Sequence, residues 1–329
     1  MTDCIGRREF VTLLGSAATA IPFATHAQQP AMRLIGYLSS NRPDAVVRNM
    51  AALRDGLADA GYVEGRNLAI DFRWAEGEND RMPALALALA RRQVAVIATN
   101  GFGAAAAKAA TSSIPIVFET GSDPVQAGLV ASLNRPGGNL TGIFFLSRAL
   151  DVKRLQLLHD MVPMAGSIAC LINRANGFAD AQSNELQEAA RTLGVSLLFL
   201  NASSPGEIDA VFASLVGARA GALLASSDPL FFDQREQLVA LASRHQIPAI
   251  YHDRQHAEAG GLMSYGARIV DGYRLVGAYT GRILNGEKPG DMPVQESTTV
   301  ELVINLRTAA ALGITVPLGL RARADEVIE

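Results

Sequence analysis

Strand-like and helix-like segments follow one another in the same order twice along this chain. The first copy runs from "MRLIGYLSSN" at residue 32 to "VAVIATN" at residue 100, and the second from "SIACLINRAN" at residue 167 to "GALLASSD" at residue 228. Each copy then passes through another helix to a strand that begins with Ile-Pro. The chain therefore contains an internal repeat of about 130 residues.

Alternating strands and helices at this spacing predict parallel βαβ units with helices on both faces of a sheet. The chain has 329 residues, enough for two such units. We therefore predict an α/β protein with two doubly wound, Rossmann-like lobes. In open sheets of this kind, ligands bind beyond the carboxyl ends of the strands, where the strand order reverses.

The composition of the chain limits the kinds of molecule that we expect it to bind. Hydrophobic residues make up 49% of the chain and charged residues 19%, which is typical of globular proteins. The formal net charge is −3, and basic residues do not cluster with aromatic ones, so we expect no nucleic-acid partner. Small neutral or anionic solutes remain possible ligands.

The strand-end loops are the candidate ligand loops of this fold. They are short and rich in Ser, Asn, Asp and Gly. These residues are also the preferred helix caps, so capping remains an alternative role for each loop. The loops are "SSNRPD" (39–44), "TNGFG" (99–103), "ETGSDP" (119–124), "NRAN" (173–176), "SSDP" (226–229) and "YHDR" (251–254).

Catalytic and metal-binding motifs are missing from the sequence. We find no GxxxxGK[ST], HExxH, CxxC or GxSxG pattern. His252 and His256 are four residues apart but fall in a segment that we interpret as a loop, so we expect no metal. Asp123 and Asp228 each precede a proline and resemble turn or cap residues. We expect no catalytic residues and no cofactor.

One motif supports an alternative interpretation. Gly101-x-Gly103-x-x-Ala106 follows a strand, opens a helix and precedes the acidic Glu119, which resembles the dinucleotide fingerprint. A nicotinamide-dependent oxidoreductase is therefore an alternative function. The motif follows the third strand of its unit, however, whereas the fingerprint belongs to the first.

The N-terminus has the organisation of an export signal. Arg7 and Arg8 precede an apolar run that is too short to span a membrane, and Thr25 and Ala27 occupy the −3 and −1 positions of a cleavage site. We interpret residues 1–27 as a signal peptide, with the paired arginines resembling a twin-arginine signal. Cys170 is then the one cysteine of the mature chain, within an apolar strand.

Several longer motifs together resemble one known family. They are "RREFVTLLGSAATAIPFATHAQQ", "IGYLSS", "GLADAGYVEGRNLAIDFRWAEG", "DPVQAGLVASLNRPGGNLTGI" and "LRTAAALGITVP". In combination the chain is similar to the ABC-transporter substrate-binding proteins of the tryptophan and tyrosine type. The resemblance covers essentially the whole mature chain.

The resemblance implies a type I periplasmic-binding-protein fold with two lobes joined by three crossovers. The first crossover is expected near 144–147, the second between Tyr251 and Gly261, and the third near 292–298. Lobe 1 would then comprise residues 28–144 and 262–295. Lobe 2 would comprise residues 145–261 and 296–329.

The resemblance also implies a function without catalysis. The chain would be a monomeric periplasmic protein that delivers a small organic solute, such as an amino acid or aromatic carboxylate, to an inner-membrane ABC permease. A ligand-presenting sensory receptor is an alternative. Phe102 and Arg174 depart from the pattern of many relatives and would place an aromatic ring and a cation on opposite walls of the cleft, which would alter the choice of ligand. The ligand residues implied are Ser39, Ser40, Thr99, Asn100, Gly101, Phe102, Gly103, Ser122, Asp123, Asn173, Ser226, Asp228 and Tyr251.

The stretch that starts at Gly101 carries the most specific hypothesis. Backbone N–H groups at the start of a helix favour a negative charge, and glycines let a ligand approach the backbone closely. We expect the N–H groups of Gly101 to Ala104 to hold the carboxylate of the solute. The alternative is that Asn100 caps the helix and the glycines only form the turn.

Overall fold

The structure is a computed structural model that describes residues 32–145, 147–218 and 220–329. The predicted signal peptide lies outside these residues. Within the described ranges, no helix combines the length and apolar character needed to cross a membrane.

The strands alternate with helices along most of the described chain. They are β1 (Arg33–Ser39), β2 (Leu68–Trp74), β3 (Ile97–Thr99), β4 (Ile116–Thr120), β5 (Leu140–Phe144), β6 (Ser167–Ile172), β7 (Ser196–Asn201), β8 (Ala222–Ala225), β9 (Ala249–Tyr251), β10 (Met263–Ala267), β11 (Gln295–Glu296), β12 (Val300–Asn305) and β13 (Glu326–Ile328).

The α-helices connect these strands, with short 3₁₀ turns at Pro43–Val46, Asn79–Arg81 and Pro289–Asp291. They are α1 (Val47–Asp59), α2 (Met82–Arg91), α3 (Gly101–Ala110), α4 (Ser147–Met161), α5 (Ala179–Leu193), α6 (Pro205–Ala218), α7 (Pro229–Asp233), α8 (Arg235–Arg244), α9 (Arg254–Glu258), α10 (Ile269–Leu284), α11 (Leu306–Ala311) and α12 (Leu318–Arg321).

The strands form two sheets with the same central topology. The first sheet has the order β11-β5-β4-β3-β1-β2, and the second β13-β12-β10-β9-β8-β6-β7. All pairs are parallel except β10 with β12. The strand order reverses between β1 and β3 in one sheet and between β6 and β8 in the other. The predicted α/β class with two doubly wound sheets is therefore confirmed.

Alternation along each strand places helices on both faces of the sheets. In the first sheet, Tyr37 and Val117 share a buried cluster with residues of α1 and α10. Leu38 and Phe118 share another cluster with residues of α2 and α3. We call the first sheet with these helices the first lobe, and the second sheet with its helices the second lobe.

The chain passes between the sheets three times. The first passage lies between β5 and α4, and the third lies between β11, which pairs with β5, and β12, which pairs with β10. The second passage lies further along the chain than we expected. We expected it between Tyr251 and Gly261, so that "GLMSYG" would belong to the first lobe. Its strand β10 pairs with β9 and β12 in the second sheet, so the chain leaves that sheet only after Ala267.

The physical reason for this difference is the repeat itself. β10 occupies the place in the second sheet that β5 occupies in the first, as the fifth strand counted along the chain. Each copy therefore completes five parallel strands before it crosses. The returning helix α10 packs closely on α1, where a Cβ on Gly56 would lie 1.9 Å from the carbonyl oxygen of Arg274. Glycine at this position lets the two helices approach each other.

Candidate functional site

A cavity of about 380 Å³ lies between the strand-end loops of the two sheets. We call it the central cavity. Its first-lobe side is formed by the loops after β1, β3 and β4 together with residues of α1 and α10. Its second-lobe side is formed by the loops after β6, β8 and β9. The position agrees with the place where parallel α/β sheets bind ligands.

The predicted site residues divide into two groups. Those that line the central cavity are Asn100, Gly101, Phe102, Ser122 and Asp228. Those that lie outside its lining are Ser39, Ser40, Thr99, Gly103, Asp123, Asn173, Ser226 and Tyr251.

Local bonding explains several of the residues outside the lining. Thr99 is buried at the end of β3, and its hydroxyl donates to the carbonyl oxygen of Asn100 at 3.1 Å. Asp123 Oδ1 accepts from the N–H groups of Val125 and Gln126 at 2.8 and 3.2 Å, so it caps a turn. Tyr251 is buried beside a separate cavity of about 120 Å³ in the second lobe.

Asn100 precedes α3 as its N-cap residue, but its side chain organises the first-lobe side of the central cavity and does not bond to the helix. Its Oδ1 accepts from the N–H of Ser40 at 3.2 Å. Its Nδ2 donates to Ser40 Oγ at 2.9 Å and to Asn41 Oδ1 at 2.8 Å. These bonds fix the β1 loop against the β3 loop. The alternative in which the Asn100 side chain caps the helix is therefore wrong, because no side-chain cap bond is present.

The N–H groups at the start of α3 are not equivalent. Those of Gly103 and Ala104 donate to the carbonyl oxygen of Asn100 at 2.9 and 3.2 Å. Those of Gly101 and Phe102 donate to no acceptor within residues 32–145, 147–218 and 220–329. The group of N–H donors proposed for the carboxylate therefore reduces to Gly101 and Phe102.

The two glycines of this turn have different surroundings. A Cβ on Gly103 would lie 1.9 Å from Thr99 Oγ1 and 3.2 Å from Leu38 Cγ. A Cβ on Gly101 would meet nothing closer than Thr120 Oγ1 at 3.3 Å. Gly103 thus serves close packing inside the lobe, whereas a dinucleotide fingerprint needs that glycine to face the pyrophosphate. This geometry argues against the dinucleotide alternative.

Glu119 places a carboxyl group in the cavity lining beside this turn. The hydroxyl of Tyr273 donates to Glu119 Oε1 at 3.3 Å, and that of Tyr37 donates to the Tyr273 oxygen at 3.4 Å. Burial raises the pKa of Glu119 to about 7, and the bond from Tyr273 lowers it only in part. Burial also raises the pKa of Tyr37 and of Tyr273, so both phenols stay protonated at neutral pH.

Asp228 has a structural role on the second-lobe side. Its carboxylate accepts from Asn173 Nδ2 at 3.1 Å, from Asn176 Nδ2 at 3.0 Å and from the N–H of Leu230 at 2.9 Å. The last bond caps α7. Burial raises the pKa of Asp228, and these donors oppose the rise. Asp228 is thus a cap residue, and it also ties the β6 loop to the β8 loop.

Three buried polar atoms that border the central cavity have no hydrogen-bond partner in the described part of the chain. They are Asn49 Oδ1, Ser227 Oγ and His252 Nδ1. Burial lowers the pKa of His252 well below its ordinary value, so the imidazole is neutral at pH 7. Because buried polar groups normally have partners, these atoms are available to a bound molecule.

His256 does not complete a metal pair with His252. Its ring nitrogens lie 3.1 and 3.2 Å from the carbonyl oxygens of Asp253 and Phe231. Burial lowers the pKa of His256 to about 4. Among the described residues, no group of three or more His, Cys, Asp or Glu is arranged to hold a metal ion.

Aromatic side chains supply much of the apolar lining. They are Phe102, Phe145, Phe178, Phe232 and Tyr273. Phe102 thus lies where we expected an aromatic departure from the family pattern. Arg174 does not line the cavity, and its N–H donates to Asn201 Oδ1 at 2.8 Å. The expected cation on the second-lobe side is therefore absent from the cavity lining.

Several residues of the cavity lining are not among the ligand residues expected from the sequence. Phe145 and Tyr273 come from a crossover and a returning helix, which lie outside the strand-end loops. Phe178 and Phe232 lie just beyond the loops after β6 and β8. Glu119 lies near the end of β4 and begins the candidate loop "ETGSDP", but it is not among the ligand residues that the resemblance implies. The signal available for Glu119 was its position in "ETGSDP", directly after an apolar strand.

Sequence and structure comparisons identify relatives of this chain. A sequence model of the family described as ABC transporter substrate binding protein matches residues 41–328. A protein named tyrosine-binding protein from Clostridioides difficile is 30% identical over 259 residues, which are 78% of this chain and 74% of that protein.

Two solved structures have the same fold. A conserved domain protein from Vibrio cholerae has a TM-score of 0.82 and 27% identity, covering 90% of this chain and 99% of the other. A Streptococcus pneumoniae ABC domain in complex with L-Trp has a TM-score of 0.81 and 24% identity, covering 91% and 100%. The chain belongs to the ABC transporter substrate-binding protein family, whose members bind substrates and are not enzymes.

Proposed function

We propose that this chain is the periplasmic solute-binding component of an ABC importer and that it takes up an aromatic amino acid or a related aromatic carboxylate. The observation that carries the proposal is the central cavity. Its volume of about 380 Å³ is within the range of small-molecule sites. It combines an aromatic lining with open backbone donors at Gly101 and Phe102.

The relatives support this class of solute. The Clostridioides difficile relative is named for tyrosine, and the Streptococcus pneumoniae structure holds L-Trp. In this chain, we propose that Phe102, Phe178 and Phe232 contact the aromatic ring. Asn100, Ser122 and Asp228 belong to the polar part of the lining.

Closure of the lobes provides the mechanism of delivery. A solute that contacts both lobes favours the closed arrangement by its difference in affinity for the two states. The permease then distinguishes the loaded protein by its closed shape. The chain acts as a monomer in this scheme, and no reaction takes place on the solute.

We also propose that residues 1–27 direct export through the twin-arginine pathway. Arg7 and Arg8 support this proposal because paired arginines are the recognition feature of that pathway. Replacing both by Lys keeps the charge and leaves the precursor in the cytoplasm. Undiminished periplasmic protein after this change would contradict the pathway.

Mass spectrometry of the protein purified without denaturation tests the proposed function. We expect an aromatic amino acid or aromatic carboxylate among the molecules released by acid, in an amount comparable with the protein. Recovery of a nicotinamide cofactor, or of a non-aromatic solute alone, would contradict the proposal.

A further inference from the structure

Three carboxyl groups border the central cavity, and their bonding differs. Asp228 accepts three hydrogen bonds at 2.9–3.1 Å. Asp253 Oδ1 accepts from the N–H of Gln255 at 2.8 Å and caps α9. Glu119 accepts one long bond of 3.3 Å from Tyr273. Since a carboxylate can accept about four hydrogen bonds, Glu119 and Asp253 each keep more unused capacity than Asp228, and the single bond to Glu119 is the longer of their two.

Glu119 is also placed to reach a bound molecule. The side chain belongs to the cavity lining and keeps part of its surface accessible, and among the described residues its hydrogen-bond partner is the neutral phenol of Tyr273 and not a cation. A buried carboxylate without a cation beside it is costly. A ligand that brings a positive charge would remove this cost.

We propose that Glu119 binds the primary ammonium group of the solute and thereby selects amino acids over carboxylic acids that lack this group. The inference rests on the proposed function and extends it, since it assigns the residue that separates the two solute classes named there. Glu119 would be a residue that determines specificity.

The neighbouring turn supports this assignment. A Cβ on Gly101 would lie 3.8 Å from the carbonyl oxygen of Glu119, so the start of α3 lies beside the end of β4. The open N–H groups of Gly101 and Phe102 favour a carboxylate, and Glu119 favours an ammonium. An α-amino acid carries both groups on one carbon atom. The two halves of the subsite line the same cavity and have the charges that an α-amino acid requires.

Binding of an ammonium group is expected to change the protonation of Glu119. The groups that face Glu119 are Tyr273 from α10 and Tyr37 beyond it on β1, and both are neutral near pH 7. Burial raises the pKa of Glu119 to about 7, so about half of the free protein carries this proton at pH 7. A bound ammonium favours the carboxylate, so binding of an amino acid releases up to about half a proton from Glu119 at this pH.

Titration calorimetry with defined pairs of compounds tests the assignment. The pairs are L-tyrosine with 3-(4-hydroxyphenyl)propionate and L-tryptophan with indole-3-propionate, at pH 7 in buffers of different ionisation enthalpy. We expect the wild-type protein to bind an amino acid about 10- to 100-fold more tightly than its partner acid. Proton release should accompany only the amino acid.

Glu119→Gln removes the charge and keeps the shape of the side chain. We expect this variant to bind both members of a pair within about threefold of each other and to release no proton. Asp123→Asn is the matched control, because Asp123 caps a turn outside the lining and Asn can accept the same bonds. The control should keep the preference of the wild-type protein.

The outcomes separate this inference from the proposed function. If the wild-type protein binds the acids as tightly as the amino acids, the role of Glu119 is wrong and the proposed function stands. If Glu119→Gln keeps the wild-type preference, the role is likewise wrong. If the wild-type protein binds none of the four compounds, the proposed function fails together with this inference.

Discussion

Asn41, in the loop after β1, donates a hydrogen bond of 2.8 Å from Nδ2 to Oδ1 of Asp233, at the end of α7 in the other lobe. The N–H of Arg42 donates to the second oxygen of the same carboxylate at 3.0 Å. Asn41 Oδ1 also accepts from Asn100 Nδ2, so this inter-lobe contact is continuous with the cavity lining. The two lobes are therefore joined through the loops that form the site.

Asp233→Ala should weaken solute binding by roughly tenfold, because the contact between the lobes loses two hydrogen bonds to a carboxylate. Asp44→Ala is the control. Its ion pair with Arg42 is exposed, with side-chain exposures of 66% and 47%, so its removal should change affinity by less than about twofold. Calorimetry with the solute identified by mass spectrometry measures both. Unchanged affinity in Asp233→Ala would show that the contact does not stabilise the loaded state.

The carboxylate hypothesis predicts a preference between an acid and its amide. A charge-assisted hydrogen bond contributes about 1.5–3 kcal/mol and the helix dipole about 0.3–1 kcal/mol. L-Tyrosinamide or L-tryptophanamide should therefore bind roughly 20- to 800-fold more weakly than the amino acid. Equal affinities would mean that the N–H groups of Gly101 and Phe102 do not hold the carboxylate.

Glu119 should make the stability of the free protein depend on pH. Its pKa rises from 4.5 to about 7 on folding, so the folded state binds this proton more tightly than the unfolded state. Its contribution is complete below about pH 4.5 and is lost as the pH rises through 7.

Glu119→Gln lacks this contribution. The free energy of unfolding of the variant, minus that of the wild-type protein, should therefore increase between pH 5 and pH 8 by roughly 2–3 kcal/mol. Urea unfolding of both proteins at the two pH values measures the difference. A difference that stays constant would contradict the raised pKa.

The two glycines of the α3 turn should respond differently to alanine. A Cβ at Gly103 would lie 1.9 Å from Thr99 Oγ1, so Gly103→Ala should lower the free energy of unfolding by about 1–3 kcal/mol. Gly101→Ala should cost less than about 1 kcal/mol, because the nearest atom is Thr120 Oγ1 at 3.3 Å. Equal losses in the two variants would contradict this division of roles.

Much of the architecture follows from the sequence because the repeat determines it. Apolar strands that alternate with helices allow few arrangements, and the reversal of strand order then places "TNGFG" and "SSDP" at the crevice. Asn100, Gly101 and Asp228 could be located in this way. The extent of the second sheet could not, because β10 resembles any short apolar strand and its partners are distant along the chain.

The site was less predictable than the fold. The direction of a side chain at the end of a strand depends on where the last residue lies, and a change of one residue moves it to the other face of the sheet. Ser39 and Thr99 lie outside the cavity lining, whereas Glu119 belongs to it. Tyr273 and Phe145 arrive through crossovers, whose packing is a property of the whole fold.

Titration calorimetry of the purified protein with L-tyrosine, L-tryptophan and L-leucine tests most directly whether an aromatic amino acid is held between the lobes. We predict saturable binding of at least one of the two aromatic amino acids, with one solute per chain and much weaker binding of L-leucine. Binding of L-leucine with equal affinity, or no binding of either aromatic amino acid, would contradict the proposed solute class.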